Sequence, residues 1–126
     1  VGLAELLVAR DDLARRFTAA VADCDAVVCP VSALPALRHG TAARLVLAAA
    51  PCLLANLLDL PAGAVPVTVV GPGEDRGRPW SLDPVFRTAA RTDLGSHGLP
   101  LGVQVVGCPG RGEGTVLEVM RLIERG

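Results

Sequence analysis

One stretch decides the fold, and it reads Asn56-Leu57-Leu58-Asp59-Leu60-Pro61-Ala62-Gly63-Ala64-Val65-Pro66-Val67-Thr68. Its second half continues into a β-branched apolar run that stops at the turn residues 71–73. Such a run predicts a strand from Ala64 to Val70. Pro66 falls near the start of that strand, where a missing amide hydrogen is tolerated.

The segment before this strand, from Thr41 to Leu58, is almost continuously apolar. It predicts a buried helix that Thr41 could cap and that Pro51 kinks or splits. A membrane-spanning helix is the alternative interpretation. It is disfavoured because it needs about 20 uninterrupted apolar residues, whereas Arg44 and Pro51 interrupt this segment.

Further elements follow from local patterns on either side. Helical spacing of leucines predicts an amphipathic helix at residues 3–22, and Asp83-Pro84 is a typical helix start. The remaining predictions are a doubly buried strand at 26–29, a loop at 30–40, a polar loop at 71–82, a helix from 83 to about 92, a strand at 101–107 and a last amphipathic helix around 116–123. Helices that alternate with short apolar strands indicate an α/β fold with covered sheets.

The composition indicates one domain, or part of one, within a larger body. The chain has 126 residues, of which 51% are apolar even without its 14 glycines. Ordinary soluble domains reach roughly 45–50% with glycine included. We therefore expect other protein to cover its faces. The net charge of −1, with scattered arginines, argues against a nucleic-acid partner.

No catalytic centre can be assembled from these residues. All twelve basic residues are arginine, which excludes a lysine base, and the three serines are Ser32, Ser81 and Ser96. Ser96 adjoins His97, but no G-x-S-x-G elbow surrounds it, so a solvated turn is the preferred interpretation.

The cysteines predict neither a metal site nor a disulfide framework. Cys24, Cys29, Cys52 and Cys108 form no C-x-x-C pair, and the two histidines are far apart in the sequence. We expect reduced, buried thiols. The glycine-rich turns lack the pattern and the lysine of a phosphate-binding loop, so no cofactor is expected.

Three blocks resemble the C-terminal region of the amidase-signature family. They are Asp25-Ala26-Val27-Val28-Cys29-Pro30, the stretch 56–68, and Gly98-Leu99-Pro100-Leu101-Gly102-Val103-Gln104-Val105-Val106-Gly107, and Glu113 to Glu124 is similar to the family's last helix. Within the family, Asp59 and Gly63 are more similar to the fatty-acid amide hydrolase branch than to the glutaminyl-tRNA amidotransferase branch. An amidase of the second type, acting on glutamine or glutamyl-tRNA, stays as an alternative.

The resemblance implies a large mixed sheet flanked by helices, of which residues 1–126 would be the C-terminal fragment of a single domain. It also implies hydrolysis of a fatty-acid amide through an acyl-enzyme, with a serine nucleophile, a second serine and a lysine. In the family, these three residues lie outside the part of the sequence that this chain resembles. The resemblance therefore implies no catalytic residue here. We expect the fragment alone to be inactive.

The resemblance does imply a substrate-binding role. The helix before the Pro-Ala-Gly turn lines the acyl channel in that branch, and its spacing from Asn56 points to Val46, Ala49 and Leu53 as wall residues. Ordinary helix packing is the alternative for each. A channel tryptophan of that branch would fall near Val85, so the sequence departs there, and Trp80 is a candidate replacement.

The partners implied by the resemblance are a lipid amide substrate, the remainder of the amidase domain, a membrane surface and a second copy of the chain. An intracellular, membrane-associated location is implied in the same way. No secretory signal pattern is visible in the sequence. A different class of function, a non-catalytic chain that packs on a partner through its apolar faces, stays open.

Overall fold

A computed structural model of the protein describes residues 2–126. The helices and strands, in chain order, are α1 (Leu3–Ala20), β1 (Ala26–Pro30), α2 (Ala50–Leu58), β2 (Ala62–Val69), α3 (Pro84–Asp93), β3 (Pro100–Gly107) and α4 (Glu113–Glu124). Short 3₁₀ helices lie at Ala42–Arg44, Val46–Ala49 and Glu74–Arg76. The α/β prediction is confirmed, since a sheet is flanked by helices.

The three strands form an antiparallel sheet in the order β1-β3-β2. Ala26 pairs with Gly107 across β1 and β3, and Ala62 pairs with Val106 across β2 and β3. The second half of β3 is buried, as a central strand requires. A register irregularity between Pro66 and Thr68 disturbs β2, where the proline has no amide hydrogen to donate.

Helix α4 packs on one face of the sheet, and glycines make the contact close. A Cβ on Gly63 would overlap Met120 Sδ, and a Cβ on Gly107 would lie 3.1 Å from Val116 Cγ2. Gly63 pairs with Val105, two residues before Gly107, so both glycines face the same side. The opposite side carries Gln104, which donates a hydrogen bond to the Pro51 carbonyl of α2.

A separate small core joins the middle of the chain to α3. Its buried members are Leu34, Leu45, Ala48 and Ala89. Leu34 comes from the loop after β1, and Ala89 comes from α3. This cluster fixes the inner side of the segment that precedes α2.

Two predicted elements differ from the structure. The helix predicted for 41–58 is two 3₁₀ helices followed by α2, because Pro51 occupies the first turn of α2, where its missing N–H and fixed φ are tolerated. Thr41 does not cap it, and its hydroxyl instead donates to the Arg38 carbonyl. Most of the segment is exposed rather than buried.

Strand β1 is also less buried than predicted. Its burial is intermediate or low along its length, and half of Val28 is exposed. The strand lies at the edge of the sheet, where no further strand within residues 2–126 pairs with it. The apolar sequence of β1 is that of an inner strand, and its surroundings here are those of an edge strand.

Candidate functional site

The three predicted wall residues lie together on the outer side of the segment from residue 42 to residue 58. Val46 and Ala49 share one side of a 3₁₀ helix, where residues three apart are aligned. Leu53 follows four residues later in α2 and continues the same side. All three side chains are exposed, Val46 by 60% and Leu53 by 50%.

Sequence reasoning missed one member of this stripe. Leu57 follows Leu53 by four residues in α2 and is also about half exposed. The same i,i+4 periodicity that relates Ala49 to Leu53 could have identified it. We call the exposed row of Val46, Ala49, Leu53 and Leu57 the apolar stripe.

The inner side of the segment is held by hydrogen bonds to the sheet and its loops. The Gln104 amide donates to the Pro51 carbonyl at 2.7 Å and to Cys29 Sγ at 3.3 Å. The Cys52 thiol donates to the Val31 carbonyl at 3.0 Å, and the Ala33 amide donates to the Ala48 carbonyl at 2.9 Å. These bonds orient the apolar stripe away from the sheet.

The structure at the end of α2 gives a role to two residues of the stretch 56–68. Asp59 adopts the left-handed conformation at φ 55°, which short polar side chains tolerate, and the Leu60 amide donates back to the Ala55 carbonyl. Asn56 does not reach outward, because its side chain donates to the Cys52 carbonyl one turn earlier in the same helix. Asn56 and Asp59 therefore stabilise the end of α2 and the turn that follows it.

Two adjoining clefts lie elsewhere, between the loop after β1 and the ends of β2 and β3. Their volumes are about 470 and about 420 Å³, and both are lined by Ser32, Leu34, Pro35 and Leu101. Neither is lined by any residue of the apolar stripe. Within residues 2–126 the stripe is exposed, and neither of these two clefts extends to it.

Ser96, at the wall of the larger cleft, corrects one prediction. It is 2% exposed and its hydroxyl has no hydrogen-bond partner among residues 2–126, so it is not a solvated turn residue. Its burial results from packing between the end of α3 and β3, which local sequence does not reveal. The adjacent His97 is exposed, so the two side chains have different surroundings.

No serine within residues 2–126 is hydrogen-bonded to a base. The hydroxyls of Ser32 and Ser81 accept hydrogen bonds from the backbone amides of Leu34 and Asp83, at 3.2 and 3.1 Å. Both contacts are local turns of the kind that short hydroxyl side chains form. Over the same range the structure brings together no group of three His, Cys, Asp or Glu side chains that could hold a metal ion.

The cysteines are free thiols of unequal burial, and the expectation that all are buried is wrong. Cys108 is buried, Cys29 and Cys52 are half-buried, and Cys24 is exposed because it follows α1 in a surface turn. Burial is the main cause that raises the pKa of Cys108, and the nearby Cys24 adds to it. A buried thiol of this kind is a poor nucleophile.

The aromatic candidate Trp80 lies far out on the surface. It is 82% exposed and lines a small cleft beside α3 with Arg87 and Arg91. Val85, where the resemblance would place a channel tryptophan, is half exposed at the start of α3. None of the helices within residues 2–126 combines the length and hydropathy that a bilayer-spanning helix requires.

Comparison with known proteins agrees with the resemblance. A family model described as Amidase matches residues 3–117. The chain is 37% identical over 103 residues to Fatty acid amide hydrolase 1 of Caenorhabditis elegans, and this alignment covers 79% of the chain and 18% of that relative. The chain thus spans less than a fifth of the relative's length. No solved structure matches it significantly.

Proposed function

The chain belongs to the amidase family, and we propose that it is the C-terminal part of a serine amidase that hydrolyses fatty-acid amides through an acyl-enzyme. The likeness to a fatty acid amide hydrolase supports the substrate class. Under this proposal the nucleophile and its base come from the remainder of the amidase domain. The chain by itself is then inactive.

The observation that carries the proposed role is the exposure of the apolar stripe on an anchored segment. Val46 and Leu53 are held outward by the bonds on the inner side of the segment, notably from Gln104 to Pro51. Apolar side chains on a fixed support suit the wall of a site for a lipid tail, since such sites are mostly apolar and largely pre-formed. The opposite wall would come from the remainder of the domain.

Helix α1 supports the idea that the remainder of the domain packs here. None of its residues is buried, and Leu3, Leu6 and Leu7 are exposed along it. Exposed apolar surface of this extent is typical of an interaction surface. A chain that only packs on a partner, without forming a substrate wall, shares this feature, so the test must separate the two roles.

The test is a chimera in which this chain replaces the aligned segment of the worm relative. We expect it to hydrolyse oleamide, and we expect Leu53→Trp to obstruct the channel. Loss of contact costs about 0.8 kcal/mol per CH₂, so kcat/KM for oleamide should fall roughly tenfold or more, with hexanamide little affected. The control is Leu117→Trp, the same substitution at a similarly exposed leucine of α4.

A fluorophosphonate serine probe reports folding independently of the acyl chain. Equal labelling of the chimera and both variants shows that the catalytic centre is intact. Equal losses of kcat/KM for Leu53→Trp and Leu117→Trp would refute the role of Leu53 as a wall residue and favour a packing role. Equal losses of kcat/KM on oleamide and hexanamide would do the same.

The proposal extends to location. By relationship to a fatty acid amide hydrolase, we infer an intracellular, membrane-associated parent protein. Fractionation of the tagged parent protein in its own cells tests this, and recovery only in the soluble fraction would contradict it.

A further inference from the structure

Two of the four thiols belong to neighbouring stretches of backbone, where the turn after α1 meets the end of β3. Cys24 directly precedes Asp25, whose carbonyl accepts a hydrogen bond from the Cys108 amide at 3.3 Å. The strand pairing continues from this contact, since Ala26 lies opposite Gly107. Opposed residues of an antiparallel pair have Cα atoms about 5 Å apart, so a displacement of one residue gives roughly 6 Å for Cys24 and Cys108. Disulfides span Cα separations of about 4.4–6.8 Å.

A cleft at this contact also places Cys24 beside the residues that follow Cys108. The cleft has a volume of about 350 Å³, and its lining includes Cys24, Pro109 and Arg111. The Arg111 guanidinium pairs with Asp25 at 2.8 Å, and the Arg111 amide donates to the Cys108 carbonyl at 2.9 Å. These contacts hold the turn after β3 against the residues that precede β1, so the two thiols stay close in the folded chain.

The electrostatics of Cys108 agree with this arrangement. Burial raises the pKa of Cys108 most, and the charge of Cys24 raises it next, ahead of the charge of Asp25. A charge has such an effect only when it lies near the group that titrates.

The two thiols differ in their access to solvent, and this gives each a separate role. Cys24 is exposed, whereas Cys108 is 2% exposed. A dissolved oxidant therefore reaches Cys24 first. The thiolate of Cys108 can attack only a sulfur that is already held beside it, and Cys24 supplies that sulfur.

The other two cysteines are held by contacts inside the chain. The Cys52 thiol donates to the Val31 carbonyl at 3.0 Å, and Cys29 Sγ accepts from the Gln104 amide at 3.3 Å. Both are half-buried. Neither combines exposure with a neighbouring thiol in the way that Cys24 does.

We propose that Cys24 and Cys108 are a redox-active pair, which a small disulfide of the glutathione type converts into an intramolecular disulfide. The bond would fasten the turn after α1 to the end of β3. This inference does not depend on the proposed function, because neither thiol belongs to the apolar stripe.

The conversion takes two exchange steps. The Cys24 thiolate attacks glutathione disulfide, whose S–S bond breaks, and a mixed disulfide forms with release of one glutathione thiolate. Cys108 then gives its proton to solvent and attacks the Cys24 sulfur, which breaks the mixed disulfide and releases the second glutathione thiolate. The two cysteines lose two electrons, and glutathione disulfide gains them as two thiols.

The test oxidises the reduced chimera with glutathione disulfide, blocks the remaining free thiols and identifies linked tryptic peptides by mass spectrometry. Trypsin cleaves after arginine, so Cys24 lies in peptide 17–38 and Cys108 in peptide 92–111. We expect these two peptides to be linked. Because Cys29 shares peptide 17–38, Cys29→Ser is the matched control and should keep the link, whereas Cys24→Ser should abolish it.

Oxidation in urea separates native proximity from chance encounter. The closure probability of a flexible loop falls with about the three-halves power of its length, so the unfolded chain should favour a Cys24–Cys29 bond over a Cys24–Cys108 bond roughly 70-fold. In buffer the order should reverse. A link that survives Cys24→Ser, a different predominant partner for Cys24 in buffer, or a mixed disulfide that never resolves would each overturn the proposal.

Two measurements keep the result independent of faulty folding. Labelling by the fluorophosphonate probe before oxidation shows that the chimera and its variants are folded. The parent protein, purified from its own cells, yields the same two tryptic peptides, and absence of their link after oxidation there would also overturn the proposal.

Discussion

Met120 of α4 lies directly against the backbone of Gly63 in β2. A Cβ added to Gly63 would overlap Met120 Sδ and would lie 3.6 Å from Val116 Cγ1. The end of the Met120 side chain would have to shift to admit it, so the present close approach of α4 to the sheet depends on glycine here. The glycine of the Pro-Ala-Gly turn is thus a packing residue.

Substituting Gly63 should therefore destabilise the contact between α4 and the sheet. For Gly63→Ala we expect a loss of about 0.5–1.5 kcal/mol in the free energy of unfolding, because the flexible end of the Met120 side chain must take a less favourable rotamer. The thermal midpoint of the chimera measures it. Adding Met120→Ala should make the two effects non-additive, since they share one contact.

The control for this prediction is another glycine of the same region. Gly114, in the first turn of α4, has nothing within 4 Å of an added Cβ. Gly114→Ala should leave stability unchanged or raise it by up to about 1 kcal/mol, the difference in helix propensity. Equal destabilisation by Gly63→Ala and Gly114→Ala would contradict the contact with Met120.

The sequence predicted helix starts correctly where the residues at the start determine them. Asp83 caps α3 and Pro84 opens it, as their side chains dictate at a helix start, and Pro51 ends the irregular segment for the same reason. The edge position of β1 and the burial of Ser96 were not predictable, because both depend on which distant elements pack there. A periodic pattern identifies an apolar face without indicating what covers it.

At the candidate site, too, features that depend on distant contacts were not predictable from the sequence. The resemblance, counted back from Asn56, selected Val46, Ala49 and Leu53, and in the structure all three are exposed. Their anchoring through Gln104 was not predicted, since the hydrogen bond from Gln104 to Pro51 joins residues 53 positions apart. Whether the three residues line a channel stays a prediction.

Gln104 should control the rigidity of the apolar stripe. Gln104→Leu keeps the volume but leaves the Pro51 carbonyl without its donor, a loss of about 1–3 kcal/mol where no water replaces it. Amide hydrogen exchange in residues 46–54 of the chimera should accelerate. Asn56→Ala is the control, because it removes an exposed hydrogen bond within one helix, and it should change exchange little. Unchanged exchange in Gln104→Leu would disprove the anchoring role.

Cys108 should ionise at higher pH in the native chain than in the unfolded one. Burial raises its pKa most, and Cys24 and Asp25 raise it further, while Arg111 lowers it. The native state therefore retains the proton longer. The contribution to stability is complete below the ordinary thiol pKa of about 8.5 and is lost as the pH rises through the native pKa.

Alkylation of the chimera by iodoacetamide, followed at Cys108 as a function of pH, measures this shift. The inflection for Cys108 should lie at higher pH in buffer than in urea. Arg111→Gln should raise it further, because the opposing cation is removed, and Arg121→Gln should not. Coincident inflections in buffer and urea would contradict the burial.

The isolated 126-residue chain should be poorly soluble and should not react with a fluorophosphonate probe. Helix α1 buries none of its residues and exposes Leu3, Leu6 and Leu7, so copies of the chain can associate through these side chains. Leu3→Glu with Leu7→Glu should increase the soluble fraction of the isolated chain, as measured by sedimentation. The same pair should lower the activity of the chimera if α1 packs on the remainder of the domain. A monodisperse, cooperatively unfolding monomer of the unsubstituted chain, or stoichiometric labelling by the probe, would show that the chain is an independent unit.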